Sequence, residues 1–316
     1  MKTVFMGTPE FAVPSLQTLS NTDLLAVFCQ PDRPKGRSGK PIPCPVKTAA
    51  QALDIPVFQP KRVRAKKWVH LLRELQPDLV VVAAFGQILS QAILDIPQLG
   101  CINVHASLLP RWRGASPIHH AILAGDRETG VGIMKMVLAL DAGPVYKEAR
   151  MTIPDSAGRV AMEQELAVLG ARLLEEVMPQ LPDLCPVEQP EEGTTYAPII
   201  ERSMGFIQFA LQDAYQIVRM MRAFEGWPQV SANFRGQGIK IRSGTAHRQK
   251  HDAQPGTVLE VTKKTLRLAC CNNTALEIKA VQPAGRKEQP VTAFINGYRI
   301  AVGEAFTDAL MPQKNG

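Results

Sequence analysis

The run Leu79-Val-Val-Val-Ala-Ala84 constrains this chain more than any other stretch. A strand that is apolar at every position, rather than at alternate ones, is covered on both faces, and that is the situation of a strand inside a parallel sheet flanked by helices. Segments of strand and helix character alternate around it. Strands are expected over 2–6, 24–28, 56–58, 101–105, 130–137 and 146–153. Helices are expected over 11–19, 46–53, 65–75 and 118–124, with a long one from a cap at Asp155 or Ser156 to about 178. The alternation predicts an α/β domain, and 316 residues with 45% hydrophobic content allow a second domain beside it.

The second region reads differently. Residues 179–200 are rich in Pro, Glu and Thr and have little periodicity, which suits a linker. After a helix over 212–224 come short strands at 230–234, 239–242, 257–261, 266–271 and 275–281, a pattern that predicts a small barrel. The expected division is 1–187, a linker at 188–206, and 207–316.

Charge is unevenly spread. Residues 29–73 carry 11 Lys and Arg against 2 Asp and Glu, residues 205–316 carry 15 against 8, and the remainder carries 10 against 19. Two basic regions on an acidic body point to a polyanionic partner, nucleic acid being the usual one. The first contains Gln30-Pro-Asp-Arg-Pro-Lys-Gly-Arg-Ser-Gly-Lys-Pro-Ile-Pro-Cys-Pro45, whose prolines and glycines require a loop able to touch phosphates. Six cysteines, at 29, 44, 101, 185, 270 and 271, show no C-x-x-C pair and no metal-ligand spacing, so reduced, mostly buried thiols and no metal are expected. No run is apolar enough to span a bilayer and no signal-peptide pattern follows Met1, so a cytoplasmic location is expected.

Chemistry concentrates in Cys101-Ile-Asn-Val-His-Ala-Ser-Leu-Leu-Pro-Arg-Trp-Arg-Gly-Ala-Ser-Pro117. Side chains alternate along a strand, so Asn103 and His105 share one face while Ile102 and Val104 pack on the other. A polar, basic loop follows at the strand end, where an open α/β sheet holds its ligand. Asp141 lies in a Gly- and Pro-containing turn after the 130–137 strand. If that strand lies beside 101–105, amide, imidazole and carboxylate converge, the carboxylate fixing the tautomer and favouring imidazolium.

These residues resemble the 10-formyltetrahydrofolate-dependent formyltransferases over nearly the whole chain. The resemblance is carried by Gly7-Thr-Pro-Glu-Phe-Ala12, Gln30-Pro-Asp-Arg-Pro34, Ile102-Asn-Val-His105, Ser107-Leu-Leu-Pro-Arg-Trp-Arg-Gly114, Leu140-Asp141, Arg222-Ala-Phe224 with Trp227-Pro228, and Gln282-Pro-Ala-Gly285. It implies a Rossmann-like catalytic domain with a mostly parallel sheet and a C-terminal barrel of oligonucleotide-binding (OB) type. It implies formyl transfer from 10-formyltetrahydrofolate to the α-amino group of methionine esterified to initiator tRNA, without a metal and by a monomer. Asn103, protonated His105 and Asp141 would be catalytic, with Ser107, Leu108, Leu109 and Pro110 lining the folate site. Arg33, Lys35, Arg37, Lys40 and Lys47 would approach the RNA from the loop, and Lys240, Arg242, Lys263 and Lys264 from the barrel. The chain departs from the family pattern at Val137, Ala142 and Ile207-Gln-Phe209, and it lacks a lysine expected soon after Tyr196-Ala197. The rival readings are a formyltransferase for an amino sugar nucleotide or small amine, and an RNA-binding protein with a degenerate catalytic fold.

Overall fold

The structure, a computed structural model, describes residues 1–34, 39 and 41–309. The chain divides into two units: Met1–Ile118 with Arg127–Pro154 and Val160–Pro198, and His119–Asp126 with Asp155–Arg159 and the chain from Ile199 onward. Of the expected linker, residues 188–198 therefore belong to the first unit and 199–206 to the second.

The first unit is built from β1 (Lys2–Gly7), α1 (Val13–Leu19), β2 (Asp23–Phe28), the two-residue strands β3 (Arg33–Pro34) and β4 (Pro41–Ile42), α2 (Pro45–Ala52), β5 (Val57–Phe58), α3 (Lys66–Leu75), β6 (Leu79–Ala83), α4 (Gln91–Leu94), β7 (Cys101–His105), α5 (Pro117–Ala124, most of which falls in the second unit), β8 (Glu128–Lys135), β9 (Val145–Thr152) and α6 (Arg159–Val177). The main sheet runs β5-β2-β1-β6-β7-β8-β9. It is parallel from β5 to β7, and β8 and β9 join antiparallel at one edge. All residues of β6 are buried, as its unbroken apolar run requires. One sheet face packs Val4, Met6, Phe28, Val80, Val82 and Cys101 with Val69 and Leu72 of α3 and Ile93 of α4. The other lies under α6, where a Cβ on Gly170 would come 2.7 Å from Val104 Cγ1. With helices on both faces the sheet is Rossmann-like, and Asn103 and His105 are left at the end of β7 where a loop takes over.

The second unit contains α7 (Ala214–Ala223), β10 (Ser231–Phe234), β11 (Gln237–Arg248), β12 (Val258–Val261), β13 (Leu266–Cys270), β14 (Thr274–Pro283), β15 (Gln289–Pro290), α8 (Val291–Tyr298) and β16 (Phe306–Asp308). Asp213 caps α7, accepting from Gln216 N at 2.8 Å while the Gln216 side chain accepts from Asp213 N at 2.8 Å. The strands run β12-β13-β14-β11-β10-β16. A bridge between Thr257 and Ala305 brings the two ends together, so the sheet closes into an OB-like barrel. Phe234 and Phe306 stack inside it with centroids 4.5 Å apart, and Phe294 of α8 lies 6.0 Å from Phe234. Among the described residues no helix is long and apolar enough to cross a membrane.

Candidate active site

Alternation along β7 does what the sequence requires: Ile102 and Val104 are buried on one face, and Asn103 and His105 share the other. His105 is only 5% exposed, whereas Asn103 is half-buried. The imidazole Nε2 lies 3.0 Å from the carbonyl oxygen of Trp112. A carbonyl can only accept, so Nε2 carries a proton and Nδ1 is the nitrogen left for chemistry. Nothing in the residue pattern signals this contact, because the partner is a backbone atom.

Nδ1 faces Asp141, with 3.9 Å to Oδ2. That separation is too long for a hydrogen bond, and it can shorten when a substrate arrives. The same Oδ2 accepts from Gly114 N at 2.9 Å, so the carboxylate is tied to the loop that follows β7. β8 lies beside β7, which meets the condition set by the sequence, with His105 opposite Gly132, and it runs antiparallel. Its C-terminal end therefore sits at the start of β7, where Met136 N donates to Cys101 O at 2.8 Å. Residues 136–144 must fold back to bring Asp141 to His105. Gly143 permits the fold, since any Cβ there would collide with the Lys135 carbonyl oxygen.

The expected folate residues divide. Ser107 is fully buried and its hydroxyl donates to Arg111 O at 2.6 Å. That bond closes the loop from inside. Leu109 is 8% exposed, and Leu108 and Pro110 are half-buried. A carboxyl the sequence did not single out, Glu148 on β9, stands by this loop. Burial pushes it up, against the pull of Arg150 and of the Leu109 N–H.

The expected RNA contacts divide too. Arg33 is exposed on β3, while Lys35, Arg37 and Lys40 lie outside the described residues. Lys47 is already committed: its Nζ meets Asp32 Oδ2 at 2.6 Å and Gln59 Oε1 at 2.9 Å. Those partners hold the Asp32 carboxyl below the usual carboxylate range, Lys47 first and Gln59 second. Lys47 thus braces the base of the loop through Asp32 and Gln59. On the barrel, Lys240, Lys263 and Lys264 are exposed, whereas Arg242 is paired with Glu288 at 2.9 Å. Lys240 also lines a groove of about 310 Å³ with Gln282, Pro283, Ala284 and Gly285. The thiols are less uniformly buried than expected: Cys29, Cys101 and Cys270 are buried, Cys44 and Cys271 half-buried and Cys185 exposed. Cys44 is lowered to about 6, first by the Cys29 thiol, and Cys29 is pushed up in return.

The chain belongs to the formyl transferase family: residues 1–178 match the family described as "Formyl transferase" and residues 199–299 match "Formyl transferase, C-terminal domain". Within it the chain stands with the enzymes named methionyl-tRNA formyltransferase. The one from Bacillus subtilis (strain 168) is 40% identical over 305 residues, covering 95% of this chain and 96% of its own. The one from Pelobacter propionicus is 44% identical over 305 residues, covering 95% and 94%.

Among solved structures, an N-formyltransferase from Helicobacter canadensis in complex with folinic acid and dTDP-3-aminofucose is 15% identical. It aligns at a TM-score of 0.64 over 90% of this chain and 99% of its own. HypX from Aquifex aeolicus, in complex with tetrahydrofolic acid, aligns at 0.58 with 15% identity over 96% of this chain, which spans 48% of that longer one. At such identity these likenesses concern the fold alone.

Proposed function

We propose that this chain, acting as a monomer, moves the formyl group of 10-formyltetrahydrofolate onto the α-amino group of methionine esterified to initiator tRNA, and that Asn103, His105 and Asp141 carry the chemistry. The observation that bears most weight is the approach of Asp141 to His105 Nδ1 at 3.9 Å, on the strand face that also presents Asn103. The amine attacks the formyl carbon and a tetrahedral intermediate forms with negative charge on the former carbonyl oxygen. Asn103 Nδ2 and His105 Nδ1–H donate to that oxygen, where pre-aimed donors lower the barrier most. With Nε2–H already given to Trp112 O, an imidazole that also donates from Nδ1 is cationic, and the Asp141 carboxylate is its counter-charge. The bond from carbon to folate N10 then breaks. Asp141 assists the passage of the amine proton to N10, which leaves as tetrahydrofolate.

For the RNA, the exposed Arg33, Lys240, Lys263 and Lys264 supply phosphate contacts, and the loop cations Lys35, Arg37 and Lys40 are assigned the same task. The triad is tested by His105→Gln and Asp141→Asn. Each lowers turnover by roughly 10² to 10⁴ while affinity for the charged tRNA stays within about twofold. Unchanged turnover, or affinity falling in step with it, contradicts the assignment.

A further inference from the structure

The chain from Val187 to Ala197 threads between the two loops that make the site. Val187 and Val145 exchange both backbone hydrogen bonds at 2.8 Å, at the foot of the Asp141 turn. Further on, Arg113 N donates to Thr195 O at 2.9 Å, Ala197 N to Arg113 O at 2.8 Å, and Trp112 N to Thr195 Oγ1 at 2.9 Å. Between these anchors sits Gln189. Its Nε2 donates to the carbonyl oxygens of Asp141 at 2.8 Å and Gly143 at 2.7 Å, and its Oε1 accepts from Arg113 Nε at 2.9 Å. The orientation of the amide is unambiguous, because two carbonyls need donors and a guanidinium needs an acceptor.

Three features make this brace consequential. Asp141 has φ +47°, a left-handed backbone that is uncommon for non-glycine residues although aspartate is among those that adopt it. Both carbonyls that Gln189 grips belong to that turn. Arg113, at 5% exposure, is the residue between Trp112, whose carbonyl fixes His105, and Gly114, whose N–H fixes Asp141. One amide thus ties the Asp141 turn to the loop that orients His105.

We infer that Gln189 is a positioning residue for formyl transfer, acting through Asp141 and Arg113 without touching either substrate. The inference rests on the catalytic role proposed for Asp141. Gln189→Glu keeps the size and the acceptor for Arg113 but replaces the donors with oxygen facing two carbonyls. Gln189→Leu removes both.

The test is a cycle of Gln189→Glu, Gln189→Leu and Asp141→Asn, alone and combined, with kcat and both KM values measured. Each Gln189 substitution lowers kcat by roughly 10- to 100-fold, the scale of a displacement of about 1 Å at a reacting group, with both KM values within about twofold. In the Asp141→Asn background the same substitutions change kcat by less than about twofold, because their target is already lost. Gln189→Glu secures the result if the leucine variant does not fold. A full and independent loss in the Asp141→Asn background, a rise in KM at constant kcat, or no effect overturns the inference. Failure of the underlying reading is visible separately, as an Asp141→Asn single variant with normal turnover.

Discussion

Gly114 occupies a position that no side chain can share. Its φ is +127°, and a Cβ would lie 2.6 Å from the Ala197 carbonyl oxygen. Its N–H is also the hydrogen bond that holds Asp141. Gly114→Ala is therefore expected to cost about 1–3 kcal/mol of stability through backbone strain and to lower turnover at least about tenfold by moving the carboxylate. Urea denaturation together with a formyl-transfer assay checks both. A stable variant with normal turnover would mean that the loop can relax without disturbing Asp141. At the same scale the shared face of Asn103 and His105 was legible from strand alternation, and the approach of Asp141 to His105 followed once the neighbouring strand was placed beside β7. Three supports of the triad were not legible. The Trp112 carbonyl and the Gly114 N–H are backbone groups with no signature of their own, and Gln189 lies in a stretch without periodicity.

Helix α5 carries a pH dependence. Burial first, then Arg159 and His120, lower His119 from 6.5 to about 4. The folded value lies below the unfolded one, so the neutral imidazole favours the folded state. Its contribution is complete above about pH 6.5 and is lost as the pH falls toward 4. The urea midpoint of the protein should decline across that window, and His119→Gln should flatten part of the decline; identical pH profiles would remove His119 from the account.

Elements legible in the sequence were those whose own residues settle them, such as the unbroken apolar β6 and the capped helix α7. The long helix begins at Arg159 rather than after a cap at Asp155 or Ser156. β11 runs over 237–248, much further than the 239–242 expected, because bulges between Ile241 and Gly244 break its alternation. α8 and β16 were not anticipated; the first is a short helix ending in Asn296-Gly297-Tyr298, and the second is defined by pairing with β10. The antiparallel direction of β8 is likewise a tertiary property, and it is what obliges residues 136–144 to fold back.

For the molecule as a whole, two basic regions on an acidic remainder agree with the affiliation to enzymes named for a tRNA. Their cations are not equivalent, since Lys47 and Arg242 are consumed by Asp32 and Glu288 while Arg33, Lys240, Lys263 and Lys264 remain exposed. The central claim joins a donor, a reaction and an RNA. It is tested most directly by mixing the protein with 10-formyltetrahydrofolate labelled in its formyl group and with methionine-charged initiator or elongator tRNA, then measuring label on the esterified methionine. The account predicts rapid transfer to the initiator and little to the elongator, abolished by His105→Gln. Equal transfer to both RNAs would contradict the proposed selectivity, and transfer to neither would contradict the proposed function.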